Sequence, residues 1–179
     1  MTYGEELAKQ HGFNLKYKAL DNGMIAYTVK KTIFVSSLLP EVRQNFGVAH
    51  EIAHYLLGHF EKDEITEEME AEADDDAAEL LLPQYELTRL RNLHSIKERF
   101  PHVSYEVIAK QLAKRGYQFA IFDNRELTSC SRKPVSQDIR KLARQAFDEK
   151  KDVKEDEIKA YYIPPNGVWE RVIVIQLTS

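Results

Sequence analysis

Cysteine is almost absent from this chain. Cys130 is its only one, so no internal disulfide can form, and a reducing compartment suits it best. Its neighbours Thr128, Ser129 and Ser131 are polar and no Cys/His pattern surrounds it, so the thiol reads as a spectator. Long hydrophobic runs are missing too. No stretch approaches the roughly 18 apolar residues of a membrane span, and Met1-Thr2-Tyr3-Gly4-Glu5-Glu6 lacks the basic and apolar segments of a signal peptide. The expected location is the cytoplasm, away from the membrane. Positive charge is not in excess: 25 Lys and Arg against 29 Asp and Glu leave a net charge of −4. That balance supplies no sequence-wide attraction to nucleic acid. There is no internal repeat and no low-complexity segment.

What is there fits an ordinary globular protein, with 43% hydrophobic and 30% charged residues over 179 positions. That length suits one core, or one core with a small appended lobe. The pattern predicts a short helix over Tyr3 to Gln10, then strands over Leu15 to Leu20 and Met24 to Val29 around an Asp21-Asn22-Gly23 hairpin signal. A third strand, Thr32 to Ser36, follows a Lys30-Lys31 turn, and three strands in series suggest a small antiparallel sheet. Helices are expected over Val42 to Phe60, Glu67 to Leu82, Tyr85 to Arg99 and Tyr105 to Arg115. A strand over Tyr117 to Phe122 precedes a polar loop through Pro134. An amphipathic helix over Ser136 to Glu149 is followed by apolar runs at Ile158 to Ile163 and Trp169 to Leu177, with Pro164-Pro165-Asn166-Gly167 as a hairpin signal between them. The expected class is α+β. Its first domain, residues 1–122, has a small antiparallel sheet packed on helices; residues 123–179 form a small C-terminal α/β lobe.

The chemistry is concentrated in His50-Glu51-Ile52-Ala53-His54, an H-E-x-x-H pattern inside a helix that is apolar on nearly every side. Residues four apart sit one above the other on a helix face, so both imidazoles can reach one Zn²⁺ at about 2.0–2.1 Å. Glu51 can then act as general base toward a water whose pKa the metal lowers from about 15.7 toward roughly 7. Burying two histidines and a glutamate in such a helix is costly without a partner. A catalytic zinc needs a third protein ligand. Phe60 stands where an extended motif would put a histidine, and His59, five residues past His54, is rotated well off the His50/His54 face. The acidic second helix is the better source. Glu68, Glu72, Asp75, Asp76 and Glu79 share one of its faces, and helix geometry alone does not choose among them. No residue stands out as an oxyanion stabiliser; Tyr55, His59, His94 and His102 are all possible on composition.

The two segments His50-Glu51-Ile52-Ala53-His54-Tyr55-Leu56-Leu57 and Glu70-Ala71-Glu72-Ala73-Asp74-Asp75-Asp76-Ala77-Ala78-Glu79-Leu80-Leu81-Leu82-Pro83 resemble the ImmA/IrrE metallopeptidases. That family carries helices of the form H-E-L-G-H-x-L-L and E-x-E-A-N-x-F-A-x-x-L-L-M-P, and the likeness is clear over residues 24–122. The resemblance implies a zincin-like core and a zinc-dependent peptidase. Position by position it puts the third metal ligand at Glu72. Asp76 departs from the pattern, since the family usually has an aromatic residue there. Glu72 and Asp76 form an E-x-x-x-D spacing similar to that of thermolysin-like enzymes, so Asp76 is a candidate to orient His50 or His54. The resemblance also implies limited proteolysis of a helix-turn-helix, Xre-like transcriptional repressor from a phage-like or mobile element. The alternative is a catalytically silent zincin-fold binding module that sequesters such a repressor, against which the intact Glu51 counts. A DNA-binding regulator fits poorly with the acidic balance, although Lys110, Lys114 and Arg115 form a small basic patch. Tyr161, Tyr162, Ile163 and Trp169 are candidate partner anchors, although the favoured reading makes them core residues of the lobe.

Overall fold

Thr2 starts the first helix, α1 (Tyr3–Gln10), with a capping box. Its hydroxyl accepts from the Glu5 amide, and the Glu5 carboxylate accepts from the Thr2 amide. The computed structural model describes residues 1–21, 23–89, 92–165 and 169–177. Among these are six α-helices and two β-sheets, a mixed α+β architecture, in two compact units, Met1–Ser104 and Tyr105–Ser179.

In the first unit, β1 (Asn14–Lys18), β2 (Ala26–Val29) and β3 (Thr32–Ser36) form a sheet of order β1-β3-β2. The sheet is mixed, which corrects the expected antiparallel series: β2 pairs antiparallel with β3, but β1 runs parallel to β3. The tight turn at Lys30-Lys31, where Lys30 takes a φ of 56°, joins β2 and β3, and β1 takes the far edge of β3. The hairpin signal at 21–23 includes residue 22, which lies outside the described residues. Alternation along β3 buries Ile33 and Val35 completely. On the opposite face Tyr27 and Phe34 stack at 5.0 Å.

Helix α2 (Glu41–Leu56) runs through the middle of this unit, packed against α1, α3 (Glu67–Leu81), β2 and β3. It stops short of the expected Phe60 because Gly58 adopts a left-handed φ of 71°, after which His59–Glu61 make a separate 3-10 turn. Its Asn45 is buried, accepting from the Gly4 amide at 3.0 Å and donating to the His102 carbonyl at 3.2 Å. Helix α3 starts at Thr66, whose hydroxyl accepts from the Met69 amide. The single helix expected over 85–99 is a 3-10 turn, Gln84–Arg89, and a separate α4 (Leu93–Arg99), started by the Asn92 side chain accepting from the His94 amide.

The second unit contains α5 (Tyr105–Ala113) and a five-stranded antiparallel sheet of order β5-β4-β8-β7-β6. Its strands are β4 (Tyr117–Asp123), β5 (Glu126–Cys130), β6 (Val153–Glu155), β7 (Ile158–Ile163) and β8 (Arg171–Leu177). Helix α6 (Gln137–Glu149), capped by Ser136, packs Leu142, Ala146 and Phe147 on Phe122, Tyr162, Val172 and Val174. The two compact units divide at 104/105, and within the second β4 pairs with both β5 and β8. Strand β5 occupies the segment expected to be a polar loop. Part of the 164–167 hairpin signal lies outside the described residues. Tyr161 and Tyr162 are core residues, whereas Trp169 is 65% exposed.

Candidate metal centre

The face of α2 that turns toward the edge strand β2 carries Gly47, His50, Glu51 and His54, and they line a cleft of about 490 Å³. Gly47 makes the approach possible. A Cβ there would lie 2.6 Å from Ile25 Cγ2 and 3.1 Å from the Ala26 Cβ. With hydrogen in that place, β2 comes close enough for Ala26, Tyr27 and Thr28 to form one wall, one helical turn from Glu51. Glu70 and Asp74 of α3 line the same cleft.

The two imidazoles converge. His50 Nε2 and His54 Nε2 are 2.9 Å apart, with Glu70 Oε2 3.2 Å from the first and Glu70 Oε1 3.6 Å from the second. One ligand atom from each of His50, His54 and Glu70 lies within 4.8 Å of the other two. An ion about 2.0–2.1 Å from both nitrogens would subtend roughly 90° between them, within reach of catalytic coordination geometry. Two imidazoles and a carboxylate are also a donor set that suits zinc. The residues therefore fit a divalent metal.

Each histidine is held on its other nitrogen. His50 Nδ1 lies 3.0 Å from Asp74 Oδ1, and His54 Nδ1 lies 3.0 Å from His59 Nδ1. The electrostatics differ between the two. Burial alone would lower the His50 pKa, but the hydrogen bond to Asp74 and the charges of Asp74, Glu70 and Glu51 outweigh it and raise it. His54 is lowered by burial and by the neighbouring His50 and His59 rings, against the pull of Glu70. Glu51, only 8% exposed, is raised by burial, with Thr28 and His50 opposing. The Thr28 Oγ1 is buried with no hydrogen-bond partner among the described residues.

Of the residues singled out from sequence, His50, Glu51 and His54 lie together in the cleft. Glu72 does not join them: its Oε2 lies 3.3 Å from His59 Nε2, and the carboxylate at the two imidazoles is Glu70. Asp76 is exposed, and the aspartate bonded to a cleft histidine is Asp74. The E-x-x-x-D spacing occurs twice on α3, as Glu70/Asp74 and Glu72/Asp76, and it is the earlier copy that faces α2. A shift of two residues turns a side chain by about 200°, so only one copy can do so. That repeated spacing was the signal available in the sequence. Nothing comparable pointed to Thr28 or to His59 as a partner of His54. Tyr55 and His102 lie outside the cleft. Tyr55 is covered by Lys31, whose Nζ is 3.5 Å from the ring centre, and His102 stacks on Tyr3 at 3.7 Å.

A family model described as Peptidase_M78, IrrE N-terminal-like domain, matches residues 8–115. No curated protein sequence matches the chain. Among solved structures, one described as a Mycobacterium tuberculosis transcriptional regulator shares the fold with a TM-score of 0.67 at 14% identity, covering 97% of this chain and 70% of that one. No helix among the described residues is long and apolar enough to cross a membrane.

Proposed function

The chain belongs to the Peptidase_M78 family, and from that premise we propose that it is a zinc-dependent metallopeptidase with a zincin-like site, acting in the cytoplasm on a protein substrate. The observation that carries the reading is the convergence of His50, His54 and Glu70 beside a buried Glu51. In this reading the first three residues hold the metal and Asp74 fixes the His50 ring by accepting from Nδ1–H. When bound, such a metal acidifies water toward a pKa of about 7 and polarises a carbonyl oxygen. Glu51 takes up the proton of the attacking water on its carboxylate and passes it to the nitrogen of the departing amine. A carboxyl raised by burial is suited to hold that proton between the two steps. β2 is the outer strand of its sheet and walls the cleft. Its free edge can pair with an extended substrate segment laid along the cleft past Glu51.

The substrate we propose is a helix-turn-helix transcriptional repressor, cut at a limited number of sites. Sharing a fold with a protein described as a transcriptional regulator supports a regulatory role. The test is incubation with candidate repressors, with and without chelator, of the wild type and Glu51→Gln. Glu51→Gln should keep zinc and partner binding while cleavage falls by about 10²–10⁴-fold. Cleavage that survives both chelation and Glu51→Gln would sink the enzyme reading. Tight repressor binding with no cleavage by the wild type would make the chain a sequestering module instead.

A further inference from the structure

Both histidines of the centre are held on their outer nitrogens, but in different ways, and the difference singles out two residues. His54 is almost fully buried, its side chain 3% exposed, and its Nδ1 faces His59 Nδ1 at 3.0 Å. His59 is nearly as buried, at 5%, and its Nε2 faces Glu72 Oε2 at 3.3 Å. Two imidazole nitrogens that close must be one donor and one acceptor. If His54 Nε2 offers its lone pair to a metal, the His54 proton sits on Nδ1 and must be donated. His59 Nδ1 is then the acceptor, which places the His59 proton on Nε2, the nitrogen 3.3 Å from a Glu72 carboxylate oxygen. Every tautomer in the chain follows from the first.

We infer that His59 and Glu72 form a positioning relay for the metal centre, in which Glu72 sets the His59 tautomer and His59 sets the rotation and tautomer of His54. The inference rests on the metal reading of His50, His54 and Glu70. The relay exists because Gly58 breaks α2 in the left-handed region and the following turn lays the His59 ring against His54, with ring centres 5.1 Å apart at 67°. α3 thus serves both ligand histidines: Asp74 holds His50 directly, and Glu72 holds His54 through one intervening imidazole.

The test is competition of the full-length, metal-free chain with a chromophoric chelator for Zn²⁺, together with the visible spectrum of the same variants saturated with Co²⁺. Removing a partner of this kind weakens metal affinity by about 10–100-fold. That loss is expected for His59→Ala, with a changed cobalt band because His54 is no longer held at its angle. His59→Asn puts an amide oxygen near the Nδ1 position and should recover most of the affinity. Glu72→Ala should weaken zinc binding less than His59→Ala, and Glu72→Gln less again, since its amide oxygen still accepts. Asp76→Ala removes the same charge from an exposed position on the same helix and should change neither readout. Wild-type affinity and an unchanged cobalt band in both His59→Ala and Glu72→Ala would overturn the relay while leaving the metal site standing. Should His59→Ala fail to fold, the exposed Glu72→Ala carries the test by itself. A wild type that takes up neither metal would overturn the relay and the metal reading together.

Discussion

Glu51 carries a cost in the metal-free fold. Its pKa is raised in the folded state because burial penalises the charged carboxylate. A group whose folded pKa exceeds its unfolded value stabilises the fold below the unfolded value, and that contribution is lost as pH rises through the folded one. Once the pH has risen through the folded value, the ionised Glu51 is therefore a burden on the apo-protein. Glu51→Gln should raise the melting temperature of the metal-free chain at about pH 8, with the difference vanishing below about pH 4, where both states hold the proton. Calorimetry at the two values checks this, and equal melting temperatures at the higher pH would show that Glu51 is not paying for burial. At this scale the sequence was informative where chemistry and spacing coincide, as in His50, Glu51 and His54. It was uninformative where a rotation decides. Glu70 and Glu72 are both glutamates on an acidic helix, and only the packing of α3 against α2 picks Glu70. His59 was hidden by the assumption of a continuous helix, since the left-handed Gly58 re-aims a side chain that regular geometry points away.

Among the elements, the distance between α2 and β2 matters most, and Gly47 sets it. Alanine in a helix interior gains about 1 kcal/mol over glycine, while overpacking costs about 1–3 kcal/mol. The Ile25 methyl can rotate, but the Ala26 Cβ, fixed to the strand backbone, cannot yield without moving β2 itself. Gly47→Ala should therefore lose about 1 kcal/mol of stability in chemical denaturation and raise KM for cleavage more than it lowers zinc affinity, because the wall moves while the ligands stay on α2 and α3. A more stable variant with unchanged KM would show that β2 is not held at this distance by Gly47. The strongly periodic helices and the apolar strands were legible: α6 places Ile139, Leu142, Ala143, Ala146 and Phe147 on one buried face, whereas the weaker pattern over 85–99 hid a 3-10 turn ahead of α4. β5 and β6 were not, since Glu126–Cys130 and Val153–Glu155 are polar strands whose conformation comes from pairing with β4 and β7. The parallel β1–β3 pair escaped for the same reason, as no local signal encodes which edge of β3 a preceding strand takes.

For the whole chain, the informative position is the junction of the two units. The family match ends at residue 115, before β4 begins at Tyr117, and the first unit alone holds His50, Glu51, His54, Glu70 and Asp74. A division at 122 would leave β4 attached to the first unit without β5 or β8. Phe119, Ala120, Ile121 and Phe122, all buried in the intact chain, would then form an apolar strand with both edges unpaired. Such a strand templates association between copies. A fragment of residues 1–122 should therefore aggregate under conditions where the full chain stays monodisperse, as read by light scattering and sedimentation. Replacing Phe119 and Ile121 with lysine in that fragment should restore solubility by charging the exposed edge. A monodisperse 1–122 fragment with native zinc affinity would return β4 to the first unit and move the boundary to the site read from sequence.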